Sequence, residues 1–334
     1  GGETVVDWTT LARDLASGGS WSGKLTVPQG GWYRLEIRTL DAAGKVVDTL
    51  NSTNKWGVGI NILCIGQSNM VGQAPEKPRT VANDLVANYT RSGSWTHLVD
   101  PYDGAGGSMT PALGNALVEA LGIPVGFVPA ADSGSGLHAP NPYTKPPHAA
   151  TRYWMYYTTA EDTSTLYGKA VTRAKAAGGV ELAVWNQGET DGAISVPKET
   201  YESDMKTLLS RLRKDLGNEA LPLFLCQIGT HNPNISTDDA YSAVRSAQRD
   251  LDDGKNFYLA ATEMEFARKD TAHYRKDGMD TIGRRVANSI LYSLGESKYY
   301  RGPSISRASW VDDEHTAIDV TISHRGGSDI TPAS

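Results

Sequence analysis

The chain has 334 residues, of which 39% are hydrophobic and 21% are charged, and its formal net charge is −6. This composition is ordinary for a globular protein, and the length suffices for one large α/β domain with an accessory piece. The negative charge argues against binding to a phosphate backbone, so we expect no nucleic-acid partner. No apolar run approaches the roughly 18 residues of a membrane helix, so a membrane span is not expected.

The first part of the chain carries the period-two alternation of β-strands. Strand patterns cover residues 24–27, 32–38 and 45–50, and turn residues separate them. We interpret residues 1–57 as the N-terminal part of a small accessory β module.

The middle of the chain alternates between apolar strand patterns and amphipathic helix patterns. This alternation is typical of an α/β fold in which helices cover both faces of a parallel sheet. Five strands are predicted, at residues 60–65, 124–131, 180–185, 221–228 and 257–261. We therefore expect residues 58–296 to form one α/β domain.

The last part of the chain, residues 297–334, returns to β-strand patterns, at 304–311 and 317–322. Chain termini often lie close together, so we expect this segment to pack with the N-terminal module. The chain starts with Gly1 rather than Met and ends without an obvious cap, which suggests a domain of a larger protein.

The first strand of the α/β domain breaks into Gly66-Gln67-Ser68-Asn69-Met70. Parallel sheets present their chemistry at the carboxyl ends of the strands, so Ser68 lies where a nucleophile would lie. Most serines in such a place merely start a turn or cap a helix. A catalytic serine needs in addition a base and a group that stabilises an oxyanion.

The string GQSNM after an apolar strand resembles the first block of the SGNH-type (GDSL-type) hydrolases. Within them it is similar to the sialate O-acetylesterase-like branch, carbohydrate esterase family six, which carries its nucleophilic serine at the position of Ser68. That resemblance implies a Gln-Gly-Glu block after a later strand, and an Asp close to a His near the end of the catalytic domain. The chain has both, at 187–189 and at Asp270 and His273. The resemblance covers residues 58–296 and implies a flavodoxin-like three-layer α/β/α sandwich.

The resemblance also implies the site residues. Ser68 is the expected nucleophile, His273 the base, and Asp270 the group that orients the base; alone, the Asp-x-x-His spacing would usually be a surface turn. The expected oxyanion donors are the backbone N–H groups of Ser68 and Gly134 and the side-chain amide of Gln187. Asn186 beside Gln187 stays open as the source of that amide.

Some of these residues also allow other chemistries. Glu189 and Asp191 are expected to hold the serine loop rather than to react, although a two-carboxylate glycosidase using Glu189 and Asp270 stays open. His138 and His148 with Asp132 fit no compact metal motif, so we expect neither a metal nor a cofactor.

The expected function is that of a serine esterase that removes O-acetyl groups from a carbohydrate or polysaccharide through an acyl-enzyme. A non-catalytic carbohydrate-binding or adhesion module of a surface or phage tail protein is the alternative, and a lipase-type esterase is a third. Residues 137–162 are rich in Pro, His and Tyr, which favours a sugar substrate. Which sugar is open, with Arg152 one candidate partner for a sialic acid carboxylate. The resemblance implies an extracellular, cell-surface or virion-associated protein.

Overall fold

The structure, a computed structural model, describes residues 3–16, 18–76, 80–138, 152–231, 236–270, 272–298 and 302–324. The strands of the described residues are β1 (Gly30–Tyr33), β2 (Glu36–Leu40), β3 (Val46–Asn51), β4 (Trp56–Val58), β5 (Ile60–Gly66), β6 (Val86–Tyr89), β7 (Trp95–His97), β8 (Val125–Pro129), β9 (Leu182–Asn186), β10 (Leu223–Gln227), β11 (Phe257–Thr262), β12 (Ser304–Trp310) and β13 (Ile318–Ser323). The helices are α1 (Ser68–Val71), α2 (Thr110–Leu121), α3 (Leu166–Ala176), α4 (Glu189–Ala193), α5 (Lys198–Leu216), α6 (Asp238–Asp250) and α7 (Lys276–Ser293).

A seven-stranded sheet forms the centre of the molecule, in the order β11-β10-β9-β5-β8-β6-β7. All its neighbouring strands are parallel except β7, which pairs antiparallel with β6. The five predicted strands are β5, β8, β9, β10 and β11. The prediction missed β6 and β7 at one edge, because strands of four and three residues are too short to show a period.

Helices cover both faces of this sheet, and the side chains of β5 show why. Leu63 and Ile65 point into a core shared with α3, α5 and α6, whereas Ile62 and Cys64 point into a core shared with α2 and α7. Successive residues of a strand face opposite sides, so an apolar strand buried on both faces requires helices on both. The three-layer α/β/α architecture predicted from the sequence is confirmed.

The carboxyl end of β5 lies at the point where the strand order reverses. From β5 the sheet extends through β8 to one edge and through β9 to the other. Such a reversal opens a crevice beyond the strand ends. Gly66 ends β5 with φ 135°, and a Cβ on it would lie 2.1 Å from the carbonyl oxygen of Asn186. Only glycine therefore allows the serine loop to start this close to β9.

The two chain ends form three small two-stranded antiparallel sheets, β1–β4, β2–β3 and β12–β13. The strand predicted at 24–27 is wrong, because these residues find no pairing partner in the structure. No β-ladder of the described residues joins β12–β13 to the N-terminal strands. The packing of both ends as one module, and the domain boundaries at 57 and 297, stay predictions. Residues 325–334 lie outside the described residues.

None of the helices in the described ranges has the length and the apolar character that crossing a membrane requires.

Candidate active site

Ser68 is the first residue of α1 and lies directly beyond β5. Gln67 before it is extended, with φ −120°, and Ser68 itself is 5% exposed. Because it opens the helix, its N–H has no acceptor among the described residues. The residue therefore has an unused N–H donor and a hydroxyl group directly beyond the carboxyl end of the central strand β5.

Asp270 and His273 form a hydrogen-bonded pair in the loop between β11 and α7. Asp270 Oδ2 lies 2.8 Å from His273 Nδ1, and Asp270 Oδ1 accepts the backbone N–H groups of Ala272 at 2.9 Å and His273 at 2.8 Å. An ionised carboxylate only accepts, so Nδ1 carries the imidazole proton and Nε2 is left as a base. Although partial burial raises it, the hydrogen bonds from His273 and Ala272 lower the pKa of Asp270 from 3.8 to about 2.

The lowered pKa of Asp270 implies that the stability contribution of its carboxylate depends on pH in the acid range. A carboxyl group whose pKa is lower in the folded protein stabilises the fold above its ordinary pKa, and the contribution disappears as the pH falls through the folded value. We expect the difference in unfolding free energy between the parent and Asp270→Asn to shrink below pH 3.8 and to vanish near pH 2. Denaturant unfolding between pH 2 and pH 5 measures it. A difference that stays constant over this range would contradict the assignment.

The serine and histidine loops meet through their neighbours in sequence. Asn69 Nδ2, next to Ser68, donates to the carbonyl oxygen of Ala272, next to His273, at 3.1 Å. In the described part of the chain no hydrogen bond joins Ser68 Oγ directly to His273. Catalytic hydrogen bonds are often long without substrate and tighten when it binds. The structure thus brings together the two loops that carry the three residues of the predicted triad.

The turn after β8 supplies the second predicted N–H donor. Gly134 has φ 72°, a conformation that glycine adopts without strain, and its N–H has no acceptor in the described ranges. Ser135 Oγ donates to the carbonyl oxygen of Gly66 at 3.0 Å. This bond ties the turn to the end of β5, so Gly134 and Ser68 lie on neighbouring loops.

Gln187 lies between these loops, but its amide is already in use. It is fully buried, and its Nε2 donates to the carbonyl oxygen of Ser135 at 3.2 Å and to Asp191 Oδ2. Asn186, the alternative, donates to Glu263 Oε1 at 2.8 Å. Both amide protons of Gln187 are therefore in use, and among the described residues no hydrogen bond joins the Asn186 amide to Ser68. The role of Gln187 as an oxyanion donor stays a prediction. It requires the Gln187 amide to release the carbonyl oxygen of Ser135 and to donate to the oxyanion instead.

Glu189 bonds the serine loop through Asn69, as the sequence led us to expect, whereas Asp191 bonds the loop after β8. Asp191 accepts the backbone N–H groups of Leu137 at 2.8 Å and His138 at 2.9 Å, so it holds the segment that follows the Gly134 turn. Burial raises the pKa values of both carboxyl groups.

Gln67 has a role that sequence reasoning missed. Its N–H donates to the carbonyl oxygen of Asn186 at 2.9 Å, and its Oε1 accepts the N–H groups of Gly188 at 3.4 Å and Thr190 at 3.3 Å. Gln67 thereby joins the serine loop to the loop after β9. The string GQSNM was the available signal, because it places polar side chains on both sides of Ser68.

Two of the three residues considered for a metal, His138 and Asp132, have other partners. His138 Nδ1 lies 2.6 Å from Asp204 Oδ2, and Asp132 Oδ1 accepts Arg152 Nη2 at 3.1 Å. His148 and residues 139–151 of the predicted substrate loop lie outside the described residues. A search of the described ranges finds no group of three or more His, Cys, Asp or Glu side chains that could hold a metal ion.

A comparison of the sequence with models of protein families identifies the family of this chain. A family model described as carbohydrate esterase, sialic acid-specific acetylesterase, matches residues 60–292, which is more than half of the chain. The chain belongs to this carbohydrate esterase family. As a member, the protein is a carbohydrate O-acetylesterase, and the resemblance seen in the GQSNM string is confirmed. The matched range contains the serine loop, the Gln187 block and the Asp270–His273 pair.

Solved structures resemble this carbohydrate esterase in fold. A carbohydrate acetylesterase from Xanthomonas citri has a TM-score of 0.64 and 18% identity, with 90% of this chain and 70% of its own covered. A protein from Arabidopsis thaliana has a TM-score of 0.53 and 21% identity, with 70% of this chain and 97% of its own covered. At these identities the likeness shows the fold alone. No curated protein matches the esterase in sequence.

Proposed function

We propose that the protein hydrolyses O-acetyl groups of a carbohydrate through an acetyl-enzyme formed on Ser68. The observation that carries the proposal is the Asp270–His273 pair, whose loop is hydrogen-bonded to the serine loop through Asn69 and the Ala272 carbonyl. Nucleophile, base and orienting carboxylate are the three groups that serine-dependent ester hydrolysis needs. The same intact set disfavours the alternative of a binding module with an inactive core.

The proposed reaction has two halves. Ser68 Oγ attacks the acetyl carbonyl carbon while its proton passes to His273 Nε2, and the sugar oxygen leaves with that proton as the ester bond breaks. Water then attacks the acetyl-enzyme, giving a proton to His273, and Ser68 recovers its proton as acetate leaves. Asp270 stays ionised throughout and stabilises the imidazolium that forms in each half.

Each half passes through a tetrahedral oxyanion, and two unused N–H groups are its proposed donors. They belong to Ser68 and Gly134, and both lie on loops beyond the central strands. Gln187 is proposed as a third donor after release of the Ser135 carbonyl. Removing one such donor typically lowers kcat by about two to three orders of magnitude.

The proposed substrate is an acetylated sugar, with acetylated sialic acid as the first candidate. The description of the family names sialic acid, and the related protein of Xanthomonas citri is a carbohydrate acetylesterase. Arg152 is the basic residue beside the Gly134 turn, where its Nη2 donates to Asp132 and to the carbonyl oxygen of Ser133. We propose that the carboxylate of sialic acid pairs with the positively charged guanidinium group of Arg152. Such substrates agree with a proposed extracellular, cell-surface or virion-associated location, as part of a larger protein.

Acetate release from a panel of substrates tests the proposal. The panel contains O-acetylated sialic acid, acetylated xylan, acetylated pectin, an aryl acetate and an aryl palmitate. We expect fast release from the aryl acetate and from one of the sugars, and little hydrolysis of the palmitate. Preference for the palmitate would favour a lipase-type esterase, and no hydrolysis of any substrate would favour a binding module.

A further inference from the structure

A buried pair of polar side chains lies beside the proposed triad and takes no part in the reaction steps. Asn69 directly follows Ser68 and is 2% exposed, and Glu189 opens α4 and is 6% exposed. Asn69 Nδ2 donates to Glu189 Oε1 at 2.7 Å and to the carbonyl oxygen of Ala272 at 3.1 Å. One amide nitrogen therefore holds partners from two different loops.

This arrangement makes Asn69 a contact between the serine loop and the histidine loop. Asn69 is the neighbour of Ser68, and Ala272 is the neighbour of His273. A primary amide has two N–H donors, and both are used here. Neither loop can move away without leaving a buried donor or acceptor unsatisfied, which proteins avoid.

Glu189 holds Asn69 from the other side. It lies two residues after Gln187, so its bond to Asn69 joins the serine loop to the loop that follows β9. Its second oxygen, Oε2, is buried and has no hydrogen-bond partner among the described residues. Buried polar atoms usually have hydrogen-bond partners, so the burial of a carboxyl group with one unbonded oxygen requires an explanation. We explain the burial of Glu189 by the bond that its other oxygen accepts from Asn69.

We infer that Asn69 and Glu189 are positioning residues that hold Ser68 and His273 at reacting distance. The inference rests on the proposed function, since it takes Ser68 as nucleophile and His273 as base. Neither side chain needs to touch the substrate to have this effect. A displacement of about 1 Å between reacting groups can lower the rate by about 100-fold.

Kinetics of four variants test the inference: Asn69→Asp, Glu189→Gln, the double variant, and Asn115→Ala as a control. Asn69→Asp replaces the amide donor by an oxygen that faces Glu189 Oε1 and the Ala272 carbonyl. We expect kcat for aryl acetate hydrolysis to fall by about 100-fold with KM little changed, because alignment is lost and substrate contacts are not. Glu189→Gln keeps an acceptor for Asn69, so a much smaller loss is expected.

The double variant separates the two bonds of Asn69. A glutamine at position 189 can donate to the introduced carboxylate, so the link between positions 69 and 189 is restored. The oxygen that faces the Ala272 carbonyl remains, so we expect kcat to stay low. Full recovery of kcat in the double variant would overturn the inference, as would an unchanged kcat in Asn69→Asp.

The matched control is Asn115 in α2, whose Oδ1 accepts the N–H of Asn83 at 2.8 Å. It also joins two segments, but it lies outside the site, so Asn115→Ala is expected to keep its kcat. Asn69→Ala removes both donors without adding a charge and replaces Asn69→Asp if the latter does not fold, with the same loss expected.

Labelling of the serine by an aryl fluorophosphonate provides a second readout in folded protein. We expect the labelling rate of the Asn69 variants to fall in parallel with kcat, whereas a merely structural role would lower the melting temperature and leave this rate unchanged. Ser68→Ala is measured alongside. Full activity of Ser68→Ala overturns the proposed function itself, whereas an inactive Ser68→Ala with normal labelling of the Asn69 variants overturns the positioning role alone.

Discussion

Replacement of Ser68 by alanine is expected to lower kcat for acetate release by about 10⁴-fold or more. Alanine has no atom that can carry the acetyl group, so the remaining rate comes from water activated by His273. The variant should fold normally, because the Ser68 hydroxyl donates no hydrogen bond in the described structure. Acetate release and intact mass after reaction with an aryl ester measure the effect. Only the parent is expected to gain the mass of an acetyl group.

Ser289→Ala is the matched control for this change. Ser289 is a fully buried serine of α7, and its hydroxyl has no hydrogen-bond partner among the described residues. Ser289 lies about 20 Å along the helix axis from the first residue of α7, at a rise of 1.5 Å for each residue. We expect parent activity from it. Equal activity of Ser68→Ala and Ser289→Ala would remove Ser68 as the nucleophile.

Loss of His273 is expected to have the second largest effect, a fall in kcat of about 10⁴- to 10⁶-fold for His273→Ala. Without Nε2 no group takes the proton of Ser68 or returns it to the leaving sugar oxygen. Asp270→Asn keeps the shape but places an uncharged amide against His273 Nδ1. Its kcat is expected to fall by about 10³- to 10⁴-fold, because the imidazolium loses its counter-charge and its tautomer is no longer set. Steady-state kinetics measure both, and added imidazole should restore part of the rate of His273→Ala alone.

His97→Ala serves as the control, since His97 lies on the edge strand β7 and bonds the carbonyl oxygen of Ala82 at 2.9 Å. We expect His97→Ala to have the same kcat and KM as the parent. Parent kinetics from Asp270→Asn would instead show that another group orients His273.

Much of the fold could be predicted because its information is local. Each of the five predicted strands is an apolar run ended by turn residues, and each of the long helices between them, α2, α3, α5 and α6, carries its own apolar stripe. The edge strands β6 and β7 could not be predicted this way. They are short, and β6 exists because the open edge of β8 offers it a partner.

The proposed catalytic residues could be named from sequence because short motifs resemble the blocks of a known hydrolase family. The string around Ser68 and the Asp270–His273 spacing are each contained in a few consecutive residues. The spatial relation between these two motifs cannot be read from the sequence in the same way. Asn69 and Ala272 lie 203 positions apart, and only the folded chain shows that one amide joins the serine loop to the histidine loop.

The sequence by itself determined the α/β class and the five core strands, because periodicity is a property of neighbouring residues. Through its resemblance to a known family it also named Ser68, Asp270 and His273 as the candidate catalytic residues. Tertiary structure decided which loops meet, since the reversal of strand order at β5 brings the turns after β8 and β9 to either side of Ser68. It also decided that the Gln187 amide is bonded to Ser135 and Asp191. Hydrogen-bond partners of a buried amide depend on every segment packed around it, and no local pattern contains that information.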